Sequence, residues 1–404
     1  MTEKIYLDDS YRAEMEAAVI ACEEESGGYA VELDRTVFFP AGGGQPCDAG
    51  ELGGFEVTGV REQKGRVLHA VRSPLRPGTT IHGRIDWARR FDHMQQHSGE
   101  HLLSFAAMEL YGAVNVGFHM AAEHCTLDLD TPLTREQIEA MEARANALVY
   151  ANLPVRARYV ETDELEALPL RKRAEGIEGR VRVVAIPGAD ACTCCGTHVA
   201  RTGEIGTILV TAAERHKGGA RLTFACGTRA LAFAQSTRAI VDETARAHSC
   251  KPQEVPKAGE ARQRELASVK RERDALCARL NRAVARELRR EVRAVGEWRL
   301  MAGLVDVPAS QLRPLALSLC GEAHVLAFLL CREAGGLHYA LCRSEGSALD
   351  MGDLAQAVNL ALQGKGGGRG SLAQGRAGDA PGQEEAVGQL IAYMQQRLRA
   401  LSGK

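Results

Sequence analysis

Phe91-Asp92-His93-Met94-Gln95-Gln96-His97-Ser98-Gly99-Glu100-His101-Leu102-Leu103-Ser104-Phe105 is the stretch where the chain changes its period. Met94, His97, His101, Leu102 and Phe105 keep three- and four-residue steps, which predicts a helix from about 86 to about 111. Upstream, short β-type runs at 29–33, 36–39, 55–60, 66–71 and 79–85 are separated by Gly, Pro and Asp, the pattern of a small barrel or sandwich. Before them, 5–7 suits a strand and 14–21 a short helix. Downstream, strands are expected at 114–120 and 124–129. Thr134-Arg135-Glu136-Gln137 reads as a capping box opening a helix to about 153. Further strands follow at 155–160, 181–186 and 205–210, and the mixture is α+β.

A long polar helix is predicted over 259–290. Leu266, Val269, Leu276, Leu280 and Ala283 hold a broken three/four spacing that Arg273 interrupts. From residue 300 a second compact unit alternates strands (325–331, 337–342) with helices (353–362, 383–401). A glycine-rich loop, Gly364-Lys365-Gly366-Gly367-Gly368-Arg369-Gly370, lies between those helices.

Composition narrows the class. The 404 residues are 45% apolar and 25% charged, as in a soluble globular protein of several domains. The formal net charge of -2 excludes a uniformly basic nucleic-acid coat but leaves room for a local basic face. Such a face is offered by residues 251–300, with 14 Lys/Arg against 8 Asp/Glu. Acids stand early in the N-terminal stretch where a secretory leader is apolar, and the longest apolar runs fall far short of the ~20 residues of a membrane helix. The expectation is a cytoplasmic protein without membrane attachment. Nine of the twelve cysteines are scattered, as small buried hydrophobes are, while Cys192-Thr193-Cys194-Cys195 is a metal-type or catalytic cluster.

Two spacings carry the chemistry. His97 and His101, four apart on a helix, bring two imidazoles to one point. Cys194 and His198 form a second chelating pair on a turn containing Gly196. Three imidazoles and a thiolate are all zinc ligands, so the expected cofactor is one Zn2+ per chain on His97, His101, Cys194 and His198. Cys192 and Cys195 are alternative sulfurs. Four protein ligands suit a closed structural site, whereas catalytic zinc keeps a position open. The third feature is the loop around Gly42-Gly43-Gly44-Gln45, where glycine lets backbone approach a ligand. No Gly-Lys-Ser/Thr follows, so it is not a P-loop.

Together these motifs resemble the free-standing alanyl-tRNA editing proteins, the AlaX family. His97-Ser98-Gly99-Glu100-His101-Leu102-Leu103 is similar to the family's first zinc motif. Cys194-Cys195-Gly196-Thr197-His198-Val199 is similar to its Cys-x-x-x-His motif, and Phe39-Pro40-Ala41-Gly42-Gly43-Gly44-Gln45-Pro46-Cys47-Asp48 to its glycine-rich barrel motif. The C-terminal third, through Gly364–Arg369 and Ala373-Gln374-Gly375, resembles the DHHA1 domain of the long members. No Asp-His-His phosphoesterase motif and no class II aminoacylation motifs are present.

The resemblance implies an α+β multidomain protein: an N-terminal β-barrel with the glycine motif (1–86), a zinc-containing editing domain (87–232), a helical linker (233–299) and an α/β DHHA1-like domain (300–404). It implies ATP-independent hydrolysis of the ester between a wrong amino acid and alanine tRNA. Serine is expected first and glycine second, because an alanine pocket rejects neither strongly. Asp190, four residues before Cys194, is a candidate to orient a ligand, hold the amino group or act as base. His119, alternating with Phe118, is a second catalytic candidate. Gln45, as the polar tip of its loop, with Gly43 and Gly44, is the substrate-contact candidate. Lys365, Arg369 and Arg376 are the tRNA-binding candidates, and the long members suggest a homodimer through the C-terminal third. Two other classes stay open: a tRNA-binding module with structural zinc, and a zinc hydrolase of small esters.

Overall fold

The computed structural model describes residues 2–173, 179–333, 335–346 and 348–402. They form two compact units, Met1–Arg246 and Ala247–Lys404. In the first, strands Glu14–Glu25, Gly28–Leu33, Arg66–Val71, Phe55–Gln63, Gly50–Leu52 and Thr80–Ile85 pair antiparallel in that order, and the last returns to the first to close a barrel. Met15, Val19, Val31, Leu33, Val57, Val67 and Ile85 fill it.

Two N-terminal expectations are corrected. Residues 14–21 are not helical but begin the 12-residue strand Glu14–Glu25. Met15, Ala17 and Val19 point inward while Glu14 and Glu16 stay exposed, so a period of two wins over an alanine-rich composition once the barrel closes. Conversely, 5–7 is not a strand. Ile5–Asp8 make one helical turn that buries the adjacent Ile5 and Tyr6.

Helix Trp87–Tyr111 begins at Asp86, whose carboxylate accepts from Arg89 N, and ends at Gly112 with φ 65°. Every residue from 93 to 104 is buried. Its close approach to strand Gly219–Cys226 requires Gly99, since a Cβ there would lie 2.2 Å from Cys226 Sγ. That strand belongs to an antiparallel sheet ordered Ile208–His216, Gly219–Cys226, Cys125–Leu129, Asn115–Met120. Helix Arg135–Tyr150, opened by the Thr134/Gln137 capping box, completes the core around Leu102, Leu127, Met141, Leu148 and Phe224. A smaller antiparallel sheet, Arg156–Glu161, Arg180–Ala185 and Ala191–Thr193, presents the second motif. Helix Gly227–Ala247 follows, with residues 231–240 exposed.

Arg90 fixes the barrel to the long helix. It is fully buried, pairs with Asp48 and donates to the Ser10 and Val37 carbonyls at 2.9 and 2.6 Å. Asp48 in turn accepts from Phe39 N at 2.7 Å, so the glycine-rich loop is pinned at both ends.

The second unit opens with helix Val255–Arg290 and is built on a six-stranded sheet ordered Arg293–Val295, Trp298–Leu304, Val325–Glu333, Gly336–Arg343, Leu372–Gly378, Lys365–Arg369. The pair Trp298–Leu304 and Val325–Glu333 is parallel. Helix Ala309–Leu319 covers one face over Ala327, Leu329 and Ala340, and helices Met351–Leu362 and Gln383–Ser402 the other over Leu326, Phe328 and Tyr339. The expected glycine loop is here an edge hairpin, in which Lys365 pairs opposite Arg376 and Arg369 opposite Leu372. Glycine is required because a Cβ at Gly366 or Gly375 would come within 2.6 Å of Tyr339. Among the described residues no helix is long and apolar enough to cross a membrane.

Candidate metal centre and its cavity

The helix places His97 and His101 one turn apart, with ring centroids 5.3 Å apart. The turn after strand Ala191–Thr193 brings Cys194 and His198 onto them. Each offers a ligand atom, and the atoms of His97, His101, Cys194 and His198 all lie within 4.8 Å of one another. Cys194 Sγ is 3.5 Å from His97 Nε2 and 3.3 Å from His198 Nε2. Gly196 is dictated by this approach: a Cβ there would stand 2.1 Å from His97 Cε1.

Each imidazole is held by its other nitrogen. His97 Nδ1 is 2.9 Å from Gln45 Oε1, His101 Nδ1 is 2.9 Å from Asp190 Oδ2, and His198 Nδ1 is 3.1 Å from Ser98 Oγ. This is how proteins orient metal-ligating histidines, with Nδ1–H donating and Nε2 left free. Burial opposes charge on Cys194, yet His97 and His198 beside it bring its thiol well below the usual range. Burial likewise lowers His198 to about 3. A thiolate and a neutral imidazole are the forms a metal requires. On His101 burial also opposes the charge, but Cys192 and Asp190 outweigh it and raise its pKa. The donor set and its supports fit a zinc ion.

The cluster forms part of the wall of a cavity of about 510 Å³. The barrel contributes Phe39, Gly42, Gly43 and Glu62, the long helix His97, Glu100 and His101, and the second motif Cys192 to Gly196. Lys4, Arg171 and Lys172 add cations, and Phe118 stacks on His97 at 5.5 Å. Cys192 sits 3.6 Å from His101 Nδ1 and forms an overlapping triad with His101 and Asp190, whereas Cys195 is exposed.

The sequence candidates fall in different places. Gly43 lines the cavity, and Gly44 lies behind it against the Phe118 backbone. Gln45 is not a polar tip: it is 2% exposed, accepts from Thr197 N at 3.2 Å and donates to Thr197 Oγ1 at 2.9 Å. The loop turns inward because Met120 N donates to Gly44 O, which carries the next side chain under His97. Asp190 is equally buried, with Arg171 on both oxygens at 2.7 and 3.0 Å; burial raises its pKa, but His101 and Arg171 bring it well below the ordinary range. His119 is not brought to the cluster. It is exposed, while its neighbour Phe118 takes the cavity side. Lys365, Arg369 and Arg376 are exposed on the edge hairpin of the other unit.

Sequence reasoning missed Arg171, Glu100 and Arg182. Arg182 donates to the Cys194 and Gly196 carbonyls at 2.8 and 3.0 Å and to Leu7 O at 3.1 Å, fastening the turn to the N-terminal segment. No spacing signals it. Ser98, inside the first motif, was within reach of a reading that asked what holds each imidazole.

Residues 181–223 match the threonyl and alanyl tRNA synthetase second additional domain. The alanyl-tRNA editing protein Aarsd1-B of Xenopus laevis is 39% identical over 241 residues, covering 56% of this chain and 58% of that one. Aarsd1 of Bos taurus is 35% identical over 249 residues, 57% and 56% of the two chains. Alanine–tRNA ligase of Thermococcus kodakarensis is 32% identical over 400 residues, 96% of this chain and 43% of that one. The chain thus spans about half the length of the curated relatives it matches. The C-Ala domain of Aquifex aeolicus alanyl-tRNA synthetase covers 25% of this chain and 95% of its own at 27% identity, with a TM-score of 0.23. In its matched domain and in the relatives that align with it, the chain is recognised as a relative of the alanyl-tRNA editing proteins.

Proposed function

We propose that this chain hydrolyses the ester of mischarged alanine tRNA, seryl-tRNA first and glycyl-tRNA second, without ATP. The observation that carries the reading is the convergence of three nitrogen-anchored imidazoles and a thiolate at the wall of a cavity of about 510 Å³. The names of the relatives agree with it.

On this reading His97, His101, Cys194 and His198 would hold one zinc ion, which when bound would supply a Lewis acid for the ester hydrolysis. The rest is the work of the chain. Asp190 and Gln45 are positioning residues, each setting one imidazole, and neither touches substrate. Gly42 and Gly43 let the barrel backbone approach the aminoacyl group closely. Lys4 and Arg171 line the cavity but are paired with Glu62 and Asp190, so Lys172 is the wall's cation toward the terminal phosphates. His119, exposed on the other side of its strand, has no part. In the C-terminal unit Lys365, Arg369 and Arg376 contact tRNA phosphates, in a domain of DHHA1 type. The exposed stripe Leu266, Val269, Leu276 and Leu280 supports self-association there, which sedimentation tests.

The experiment is deacylation of seryl-, glycyl- and alanyl-tRNA(Ala) by the zinc-loaded protein, with His97→Ala as control. A second reading has one observation in its favour: four protein donors fill a tetrahedral shell, as structural zinc does. It predicts metal-dependent folding without deacylation.

A further inference from the structure

The carboxylates around the cavity are not equivalent. Asp190 has both oxygens committed to Arg171 and one also to His101. Glu62 is neutralised by Lys4 Nζ at 2.6 Å. Glu100 is 5% exposed and lines the cavity, yet the side chains that hydrogen-bond it are neutral, and His101 and Arg171 act on it only from beyond hydrogen-bond range. Oε1 accepts from Asn115 Nδ2 at 2.6 Å and from Ser104 Oγ at 2.5 Å. Among the described residues the nearest basic atom to Oε2 is His101 Nε2, at 3.9 Å, outside hydrogen-bond range.

A carboxylate so deeply buried is costly unless a cation completes it. Its two neutral donors both bind Oε1 and leave Oε2 uncommitted in a side chain that lines the cavity. Residues 97, 100, 101 and 104 share one helix face, so Oε2 lies beside the four-donor cluster without belonging to it. An amino acid esterified to tRNA carries one cation next to the ester, its α-ammonium, with three donors.

We infer that Glu100 is the anchor for the α-ammonium group of the substrate, an inference that rests on the deacylase reading above. The substrate class follows: esters of amino acids with a free, protonated amine. Esters whose amine is acylated, as at the end of a nascent peptide, are refused, because they bring no charge to Oε2 and add bulk at a buried site. Glycine and serine both meet this requirement, so the anchor sets the class and leaves side-chain choice to the rest of the cavity.

The test uses non-hydrolysable 3′-amide analogues of adenosine acylated with serine, with N-acetylserine, or with glyceric acid, in which a hydroxyl replaces the amine. Calorimetry on the zinc-loaded protein should show the serine analogue binding about ten- to a hundred-fold more tightly than the other two. Glu100→Gln keeps an oxygen for Ser104 and Asn115 and removes the charge. It should abolish that preference by weakening the serine analogue alone, with zinc content unchanged. Equal binding of serine and glyceryl analogues by the wild type overturns the inference, and needs no variant to fold. Equal weakening of all three analogues by Glu100→Gln overturns it as well. If the wild type binds none of them, the deacylase reading falls too; if it binds all three alike, the anchor alone falls.

Discussion

Gln45→Leu replaces a buried amide by an apolar side chain of similar volume, so its effect is one of hydrogen bonding rather than of an emptied site. Gln45 Oε1 takes His97 Nδ1 at 2.9 Å and Thr197 N at 3.2 Å. Both are buried donors, and leucine leaves both unpaired. At about 1–3 kcal/mol for each stranded group, the metal-free protein should lose about 2–6 kcal/mol of stability. The loss is felt at the metal as well. Without its acceptor the His97 ring is no longer held with Nε2 toward Cys194, and loss of such a support costs about 10–100-fold in metal affinity. Gln45→Glu restores an acceptor for both donors, in the carboxylate–histidine arrangement that suits a metal ligand, and should recover most of that affinity. Chelator competition for zinc and urea unfolding of both variants give the two numbers. Wild-type zinc affinity in Gln45→Leu would refute the reasoning and return Gln45 to a role in contact with substrate.

Gly196→Ala drives a methyl group into the His97 ring, so the variant should fold with lost or much weakened zinc; full zinc content by elemental analysis would contradict this. His69, buried between Val31 O at 3.0 Å and Thr36 Oγ1 at 2.8 Å, is lowered by burial from 6.5 to about 4. The unfolded chain therefore binds a proton that the native one refuses between these values. Its contribution is fully present above pH 6.5 and is lost as pH falls toward 4, a change of about 3 kcal/mol. Replacing His69 with Asn should flatten the fall in urea-derived stability over that window, and an unaltered slope would show the group is not responsible. Alanine at Lys365, Arg369 and Arg376 together should weaken tRNA binding. It should also lessen the slope of log affinity against log salt by roughly 0.7–0.9 for each phosphate no longer held. An unchanged slope would remove the hairpin from the RNA interface.

What the sequence discloses and what it conceals divide along physical lines. The pairs His97/His101 and Cys194/His198 are legible because each is local: four residues on one helix or one turn fix the distance between two side chains. The capping box at Thr134 is legible for the same reason. The strand Glu14–Glu25 escapes a local reading because an alanine-rich run has helical propensity in isolation, and the closure of six strands decides its conformation. Gln45 and Asp190 could be singled out, but their tasks depend on partners 52 and 89 residues away in sequence, His97 and His101. Arg171 and Arg182 lie in no motif at all. Each works by reaching a carboxylate or carbonyls that only the folded sheet brings near. Glu100 stands in full view inside the first motif, but its uncommitted oxygen becomes visible only when the donors of Ser104 and Asn115 are in place.

The deacylase function is tested most directly by deacylation with the purified, zinc-loaded chain, measured side by side on seryl-, glycyl- and alanyl-tRNA(Ala). The expected result is rapid release of serine, slower release of glycine, sparing of alanine, and loss of all activity with zinc in His97→Ala. Folded, zinc-loaded protein that leaves the seryl and glycyl esters intact, or that cleaves the alanyl ester as fast as the seryl, would contradict it.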